Sequence, residues 1–317
     1  MSVLTQPLDA APLTREAVTA RLTSGKVGVA DRAYRWAMLA ALLATLAILL
    51  LLLWTIIGNG AEVLTDRGLD FLTSGNSGTS TDAGMWQAIY GSFWIAAFVV
   101  GLAFPLGIAA AVYLEEYAQS GWFTRLVTVN IRNLAGVPSV VYGILGLSVF
   151  VKYLDGFTGG RSVIAGGLTL SVLVLPIVII TASEALRAVP DSIREAGFGV
   201  GAARWEVTRA HVLPYAAPGI ITGTILALAR ALGEAAPLIL VGAATGFFNT
   251  AEGTGLVDRL QGSFTALPNL TFSWAKLPGD DWKANTSAAI LVMMIVIFAF
   301  NAVAILLRNR YDRARDY

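Results

Sequence analysis

Six separate apolar runs, each close to the length of a bilayer crossing, constrain this chain more than any other feature. They lie at approximately Met38–Ile57, Ile89–Leu114, Ile131–Tyr153, Val163–Ala182, Ala216–Thr245 and Ala288–Leu307. A helix needs about 20 mostly apolar residues to cross hydrocarbon, and only structures that satisfy their own backbone polar groups survive there. Composition agrees. Only 14% of residues are charged against 56% hydrophobic, whereas a soluble domain carries about a quarter charged residues. The sequence therefore predicts an all-α, polytopic membrane protein of about six transmembrane helices. The membrane domain covers residues 36–308, between a polar tail at 1–35 and a short tail at 309–317. The first apolar run exceeds the roughly 7–15 residues of a signal-peptide core, so it reads as a retained helix.

Basic residues set the expected orientation, because Lys and Arg concentrate on the cytoplasmic side. Arg15, Arg21, Lys26, Arg32 and Arg35 precede the first run, and Arg308, Arg310, Arg313 and Arg315 follow the last. The segment 184–215 holds Arg187, Arg194, Arg204 and Arg209, while 58–88 and 246–285 balance or outweigh their cations with carboxylates. Six spans with both termini inside satisfy every loop, leaving 58–88 and 246–285 outside. Trp36, Trp54, Trp86 and Trp122 fall near predicted helix ends, as headgroup anchors do.

Several chemistries are excluded. With no cysteine and a single histidine, His211, the chain offers no thiol nucleophile and no ordinary Cys/His metal site. No phosphate-cradling Gly-x-x-x-x-Gly-Lys-Ser/Thr loop is present; Ser24-Gly25-Lys26-Val27 fails on both sides. Energy for any transport must come from another subunit or an ion gradient.

The segment 184–215 is too patterned for a simple connector. Pro190 ends one helix, and Ser192-Ile193-Arg194-Glu195 has capping-box spacing for a new one. Gly197, Gly199 and Gly201 then weaken the helix or let the chain turn, and Arg204–Val212 reads as a second short helix closed by Leu213-Pro214. Physics alone also allows an amphipathic pair lying on the membrane surface. In the fifth run, Gly219, Gly223, Ala227, Ala231 and Ala235 form a small-residue stripe that invites close helix packing. Arg230 and Glu234, four apart, are spaced to pair, and Pro237 frees the carbonyl of Gly233. An arginine near mid-membrane costs about 2.5–3.5 kcal/mol to insert, so it must face protein or water. Either the pair fixes helix packing, or it lines a translocation path or its gate.

Glu195-Ala196-Gly197, Gly201 six residues after the glutamate, and Leu213-Pro214 resemble the EAA loop of ABC importer permeases. Gly197 stands where that pattern usually has alanine. The resemblance implies the type I ABC importer permease fold, with Glu195, Ala196, Gly197 and Gly201 docking on a separate ATPase subunit. Asn133–Leu147, Ala229–Pro237 and Asn301–Tyr311 are further similar to phosphate-importer permeases of the PstA/PstC kind. That implies import of inorganic phosphate, a PstC-like partner permease, two PstB-like ATPase subunits carrying ATP and Mg, and an external phosphate-binding protein. It implies no cofactor on this chain and a place in the inner membrane. Arg132 then has two open roles, anion contact or headgroup anchoring. Ser139 and Tyr142 offer hydroxyls either to a path or to helix packing. A permease for sulfate or molybdate, an ion-coupled secondary transporter, and a membrane scaffold are the competing readings. No constellation of enzyme groups is visible.

Overall fold

The computed structural model describes residues 29–243 and 255–313. The chain divides into two compact units, Met1–Thr55 and Ile56–Tyr317. The described part of the first unit is helical and belongs to α1 (Val29–Thr73). Its Thr45 and Thr55 hydroxyls donate back to Ala41 O and Leu51 O at 2.9 Å, so they add no unsatisfied group to an apolar helix. A lone helix has no core of its own, and its run of Leu, Ile and Ala needs a hydrocarbon solvent.

In the second unit, α1 continues to Thr73 with a kink at Gly68, whose φ of 48° and ψ of −123° interrupt the helix. The other principal helices are α2 (Trp86–Tyr117), α3 (Trp122–Ala135), α4 (Ser139–Tyr153), α5 (Val163–Arg187), α6 (Asp191–Gly199), α7 (Arg204–Leu232), α8 (Ala236–Leu240), α9 (Leu256–Gln261), α10 (Leu267–Trp274) and α11 (Asp280–Arg313). Among the described residues, five helices are long and apolar enough to cross a membrane, and α3 with α4 gives a sixth if the bent pair counts as one span. Each of the six runs thus falls on helix, four of them unbroken. Much of 58–88 is helical, and 246–285 holds α9 and α10. Residues 1–28, with Lys26 and its neighbours, and residues 244–254 and 314–317 lie outside the described set.

Three expectations need correction. The third run is not one helix: α3 and α4 meet at 99° around Gly136-Val137-Pro138. Pro138 bars the preceding residue from helical geometry, and Gly136 and Val137 close the turn through bonds to Asn133 O and Leu134 O. The fifth run is also interrupted. Helix α7 stops at Leu232, Gly233 N bonds Arg230 O, and Pro237 falls in the first turn of α8, so the break lies before the proline. Thr245, its expected end, lies outside the described residues.

Conversely, Leu213-Pro214 does not close a helix. A wide π-helical turn at Thr208–Val212 immediately precedes it, with Leu213 N bonded to Thr208 O. The extra residue per turn relieves the clash of the ring with the preceding carbonyl, and α7 runs through. Helix α2 passes Pro105 in the same way, after a π turn at Val99–Ala103.

Helix α5 is the central post and packs against α2, α3, α4 and α7. Small residues set how close its neighbours come. A Cβ added to Gly107 of α2 would lie 2.7 Å from Val178, and one added to Gly223 of α7 would lie 2.5 Å from Thr181. The predicted stripe on α7 therefore faces α5 at Gly219 and Gly223, with Ala227 and Ala231 buried. Gly223→Leu should lower the thermal midpoint of the detergent-solubilised chain, at an overpacking cost of about 1–3 kcal/mol. Gly101→Ala, where nothing lies within 4 Å, should leave it unchanged or raise it slightly. Scanning fluorimetry of the two variants checks this.

Candidate functional site

At the end of the bundle where α2 and α5 finish, a short helix stands apart from the spans. Pro190, immediately before α6, sets the entry with its extended ψ of 139°, and no side chain caps the helix. The capping box expected at Ser192 and Glu195 is absent because the helix begins before Ser192, at Asp191. The turn after α6 places Gly201 at φ 84°, a left-handed conformation that glycine adopts without strain. Ala202 N then bonds Gly197 O at 3.2 Å, and the Glu206 carboxylate accepts from Ala203 N at 2.8 Å to open α7.

Gly197, the departure from the alanine of the EAA pattern, is the buried contact between α6 and α7. A Cβ there would stand 2.8 Å from Val207 Cγ2. The pattern residues Glu195 and Ala196 are exposed, as are Phe198 and Val200. The structure thus gathers Glu195, Ala196, Gly197 and Gly201 into one projecting unit. Leu213 lies at its base, against the apolar cluster of Leu186, Val189 and Val207, and Pro214 follows it in α7.

What holds that unit is a set of ion pairs that sequence spacing did not suggest. Arg194, one residue before Glu195, reaches back to Glu116 at the end of α2, Nη2 to Oε1 at 2.8 Å. Its Nη1 and Nη2 also donate to Val189 O at 2.8 Å and Leu186 O at 3.0 Å, and Nη1 reaches Asp191 Oδ1 at 3.2 Å. The Glu116 side chain is 8% exposed and that of Arg194 19%, so this is a largely desolvated pair with its hydrogen bonds met. Hydrogen bonding to Glu116 raises the Arg194 pKa further above its already high ordinary value. Beside it, Arg187 makes a bidentate pair with Glu115 at 2.7 and 2.8 Å, with its own side chain half exposed. The only sequence signal was two adjacent glutamates, Glu115-Glu116, closing an apolar run.

The other predicted residues fall into separate groups. Arg132 sits in the last turn of α3 and lines a cleft with Glu115, Glu184 and Arg187, on the α6 side. Ser139 opens α4, and Tyr142 OH donates to Leu134 O across the bend at 2.9 Å. Gly143, next along α4, lies against Pro237, so the two interrupted spans meet at their half-helices. Arg230 and Glu234 are close but not hydrogen-bonded, Nε to Oε1 at 3.7 Å, with side chains 57% and 21% exposed. Arg132 is therefore not brought to Ser139, Tyr142 or the Arg230/Glu234 pair by any contact among the described residues.

No group of three or more metal-binding side chains occurs among the described residues. A multi-pass helical bundle that carries a rigidly clamped, projecting helix at one end is the architecture of a membrane-embedded transport subunit. The chain belongs to the binding-protein-dependent transport system inner membrane component family, whose model matches residues 103–317. It is 33% identical over 267 residues to the phosphate transport system permease protein PstA 1 of Mycobacterium tuberculosis, covering 83% of this chain and 84% of that one. It is 30% identical over 254 residues to the phosphate transport system permease protein PstA of Yersinia pestis, covering 80% and 82%. A solved bacterial ABC transporter for import of the acidic polysaccharide alginate superposes with a TM-score of 0.59 at 16% identity, over 88% of this chain and 97% of that one. The fold is that of the type I ABC importer permeases.

The clamp makes a measurable difference between its two arginines. Arg194→Met strands Glu116 in a desolvated site at about 3 kcal/mol, so amide hydrogen exchange across Asp191–Gly199 should quicken by about a hundredfold. Arg187→Met, which removes a half-exposed pair, should quicken it by less than about fivefold.

Proposed function

We propose that this chain is the permease subunit of an ATP-driven importer of inorganic phosphate, with 1–35 and 309–317 as cytoplasmic tails of the membrane domain 36–308. The observation that carries the mechanism is α6, the exposed helix fixed by Arg194 to both α2 and α5. A force applied there enters two spans together. Ala196 keeps the exposed face of the helix narrow enough for a groove, Gly197 lets α6 lie close against α7, and Phe198 and Val200 give the partner apolar contact. In this reading segment 184–215 lies in the cytoplasm and docks on a PstB-like ATPase subunit that holds ATP and Mg. A PstC-like permease pairs with this chain, two ATPase subunits bind below, and an external phosphate-binding protein delivers the anion to the 58–88 and 246–285 side. This chain itself needs no cofactor.

Phosphate as the substrate is supported by the PstA relatives that match about four-fifths of the chain. Arg230 and Glu234 are the residues assigned to the path. Their 3.7 Å separation leaves the guanidinium free to exchange a carboxylate for a passing anion. Ser139, Tyr142 and Pro237 shape the place where the interrupted spans meet. Arg132 takes the anchoring role, since it lies with Glu115 and Arg187 at the opposite site.

In the reconstituted complex, ATP hydrolysis should rise when the phosphate-loaded binding protein is added. A rise produced only by a sulfate- or molybdate-loaded protein would replace the substrate, and no stably bound ATPase would remove the reading. Gly197→Leu, which drives a side chain into Val207, should cut stimulated hydrolysis about tenfold, equal to ~1.4 kcal/mol of coupling. Arg230→Ala and Glu234→Ala should spare stimulation but slow phosphate uptake; wild-type uptake in both would end the path assignment.

A further inference from the structure

Helix α3 is unlike the other long helices in burying none of its residues, and it contains no carboxylate. One strip of it meets the bundle, where Thr128 and Ile131 line a cleft against Ile179 and Ser183 of α5. The opposite side carries Trp122, Phe123, Leu126 and Val129, all exposed, the first two at 78% and 63%. Arg125 and Arg132, two turns apart, form an edge between these strips. Both are exposed, and neither makes an ion pair among the described residues.

The bend fixes how this helix sits. With α4 directed across the bilayer, a helix at 99° to it lies along the membrane plane. Apolar side chains on one side and arginines along the edge suit the headgroup boundary, and an indole at the start of the helix suits it equally. Between α3 and the last turns of α2 a groove of about 640 Å³ opens, walled by Ala110, Tyr113, Tyr117, Phe123, Val127 and Ile131. No charged side chain lines it. Arg125 follows Thr124, another wall residue, so the positive edge and the apolar groove adjoin.

An apolar groove beside unpaired cations matches the two ends of one molecule. We propose that α3 binds an anionic phospholipid, with an acyl chain in the groove and the headgroup phosphate at Arg125. Arg132, about 10 Å further along the helix, extends the positive edge. A zwitterionic lipid offers the same chain but no net charge for that edge to attract. That this leaflet is the cytoplasmic one, where anionic lipids draw such cations, rests on the function proposed above.

The chain contains no cysteine, so Leu126→Cys puts a single thiol among the exposed apolar residues of α3 and leaves both arginines in place. In the complete complex, with its other subunits free of cysteine, a bimane on that thiol reports quenching by lipids brominated on their acyl chains. In phosphatidylcholine nanodiscs, brominated phosphatidylglycerol as a minor component should quench about threefold more than brominated phosphatidylcholine at the same fraction. Adding Arg125→Gln should abolish the preference, and Arg125→Lys should keep most of it. Arg132→Gln should lower it less, because Glu115 and Glu184 share its cleft. Equal quenching by the two lipids, or a preference unchanged in Arg125→Gln, overturns the proposal. Quenching by neither lipid also overturns it, and means that another subunit covers α3. ATP hydrolysis stimulated by the phosphate-loaded binding protein is measured on the same preparation. Stimulation with equal quenching defeats the lipid site alone, and selective quenching without stimulation defeats the importer reading alone.

Discussion

Close fit around α5 is the constraint on which the second unit depends. Lipid tails are as apolar as leucine, so helices in hydrocarbon gain little from burying apolar area and must gain from contact and polar bonding. The glycines deliver that contact: Gly107 against Val178, Gly167 against Phe98, Gly219 against Ala185 and Gly223 against Thr181. The polar side chains within α5 stay quiet by bonding to its own backbone, Thr169 to Ala165 O and Ser171 to Gly167 O at 2.7 Å. Arg194 donates to Leu186 O and Val189 O at the end of α5, which ties α6 directly to the most buried of the long helices.

The interruptions obey the same rule from the other side. Where a helix breaks near hydrocarbon, its freed groups must find partners within the protein. At the first bend Gly136 N and Val137 N bond back into α3, and Leu134 O also accepts the Tyr142 hydroxyl. At the second, Gly233 N and Glu234 N bond Arg230 O and Ala231 O. The two half-helices beyond the bends then meet at Gly143 and Pro237, where only glycine allows the approach. The weakest helical continuity in two spans is thus concentrated in one place, next to the Arg230/Glu234 pair.

Much of this was legible in the residues, and the failures have physical causes. Apolar run length marked out the unbroken spans, because hydrocarbon leaves few alternatives, but it presented the third and fifth runs as continuous. The turn at Gly201 followed from glycine's tolerance of positive φ, whereas capping-box spacing put the start of α6 at Ser192 and outweighed the entry that Pro190 sets one residue earlier. The 99° bend was hidden because α3 is amphipathic and feeds straight into the apolar α4, so the pair reads as one long run with a polar start. Pro214 read as a stop because a sequence does not display a π turn in advance. The clamp was invisible for a different reason: Glu115 and Glu116 lie 72 and 78 residues from Arg187 and Arg194, and only the packing of α2 beside α5 closes that distance.

Arg230 brings these strands together. Its guanidinium is more than half exposed on this chain and is only loosely balanced by Glu234. Left against lipid, it would cost about 2.5–3.5 kcal/mol, a large share of a domain's net stability. The face of α7 that carries it must therefore meet water or another subunit. A neighbour that covered it with apolar side chains would make the cost worse, so the cover has to be polar. Water, or polar side chains brought to that face, meet the requirement.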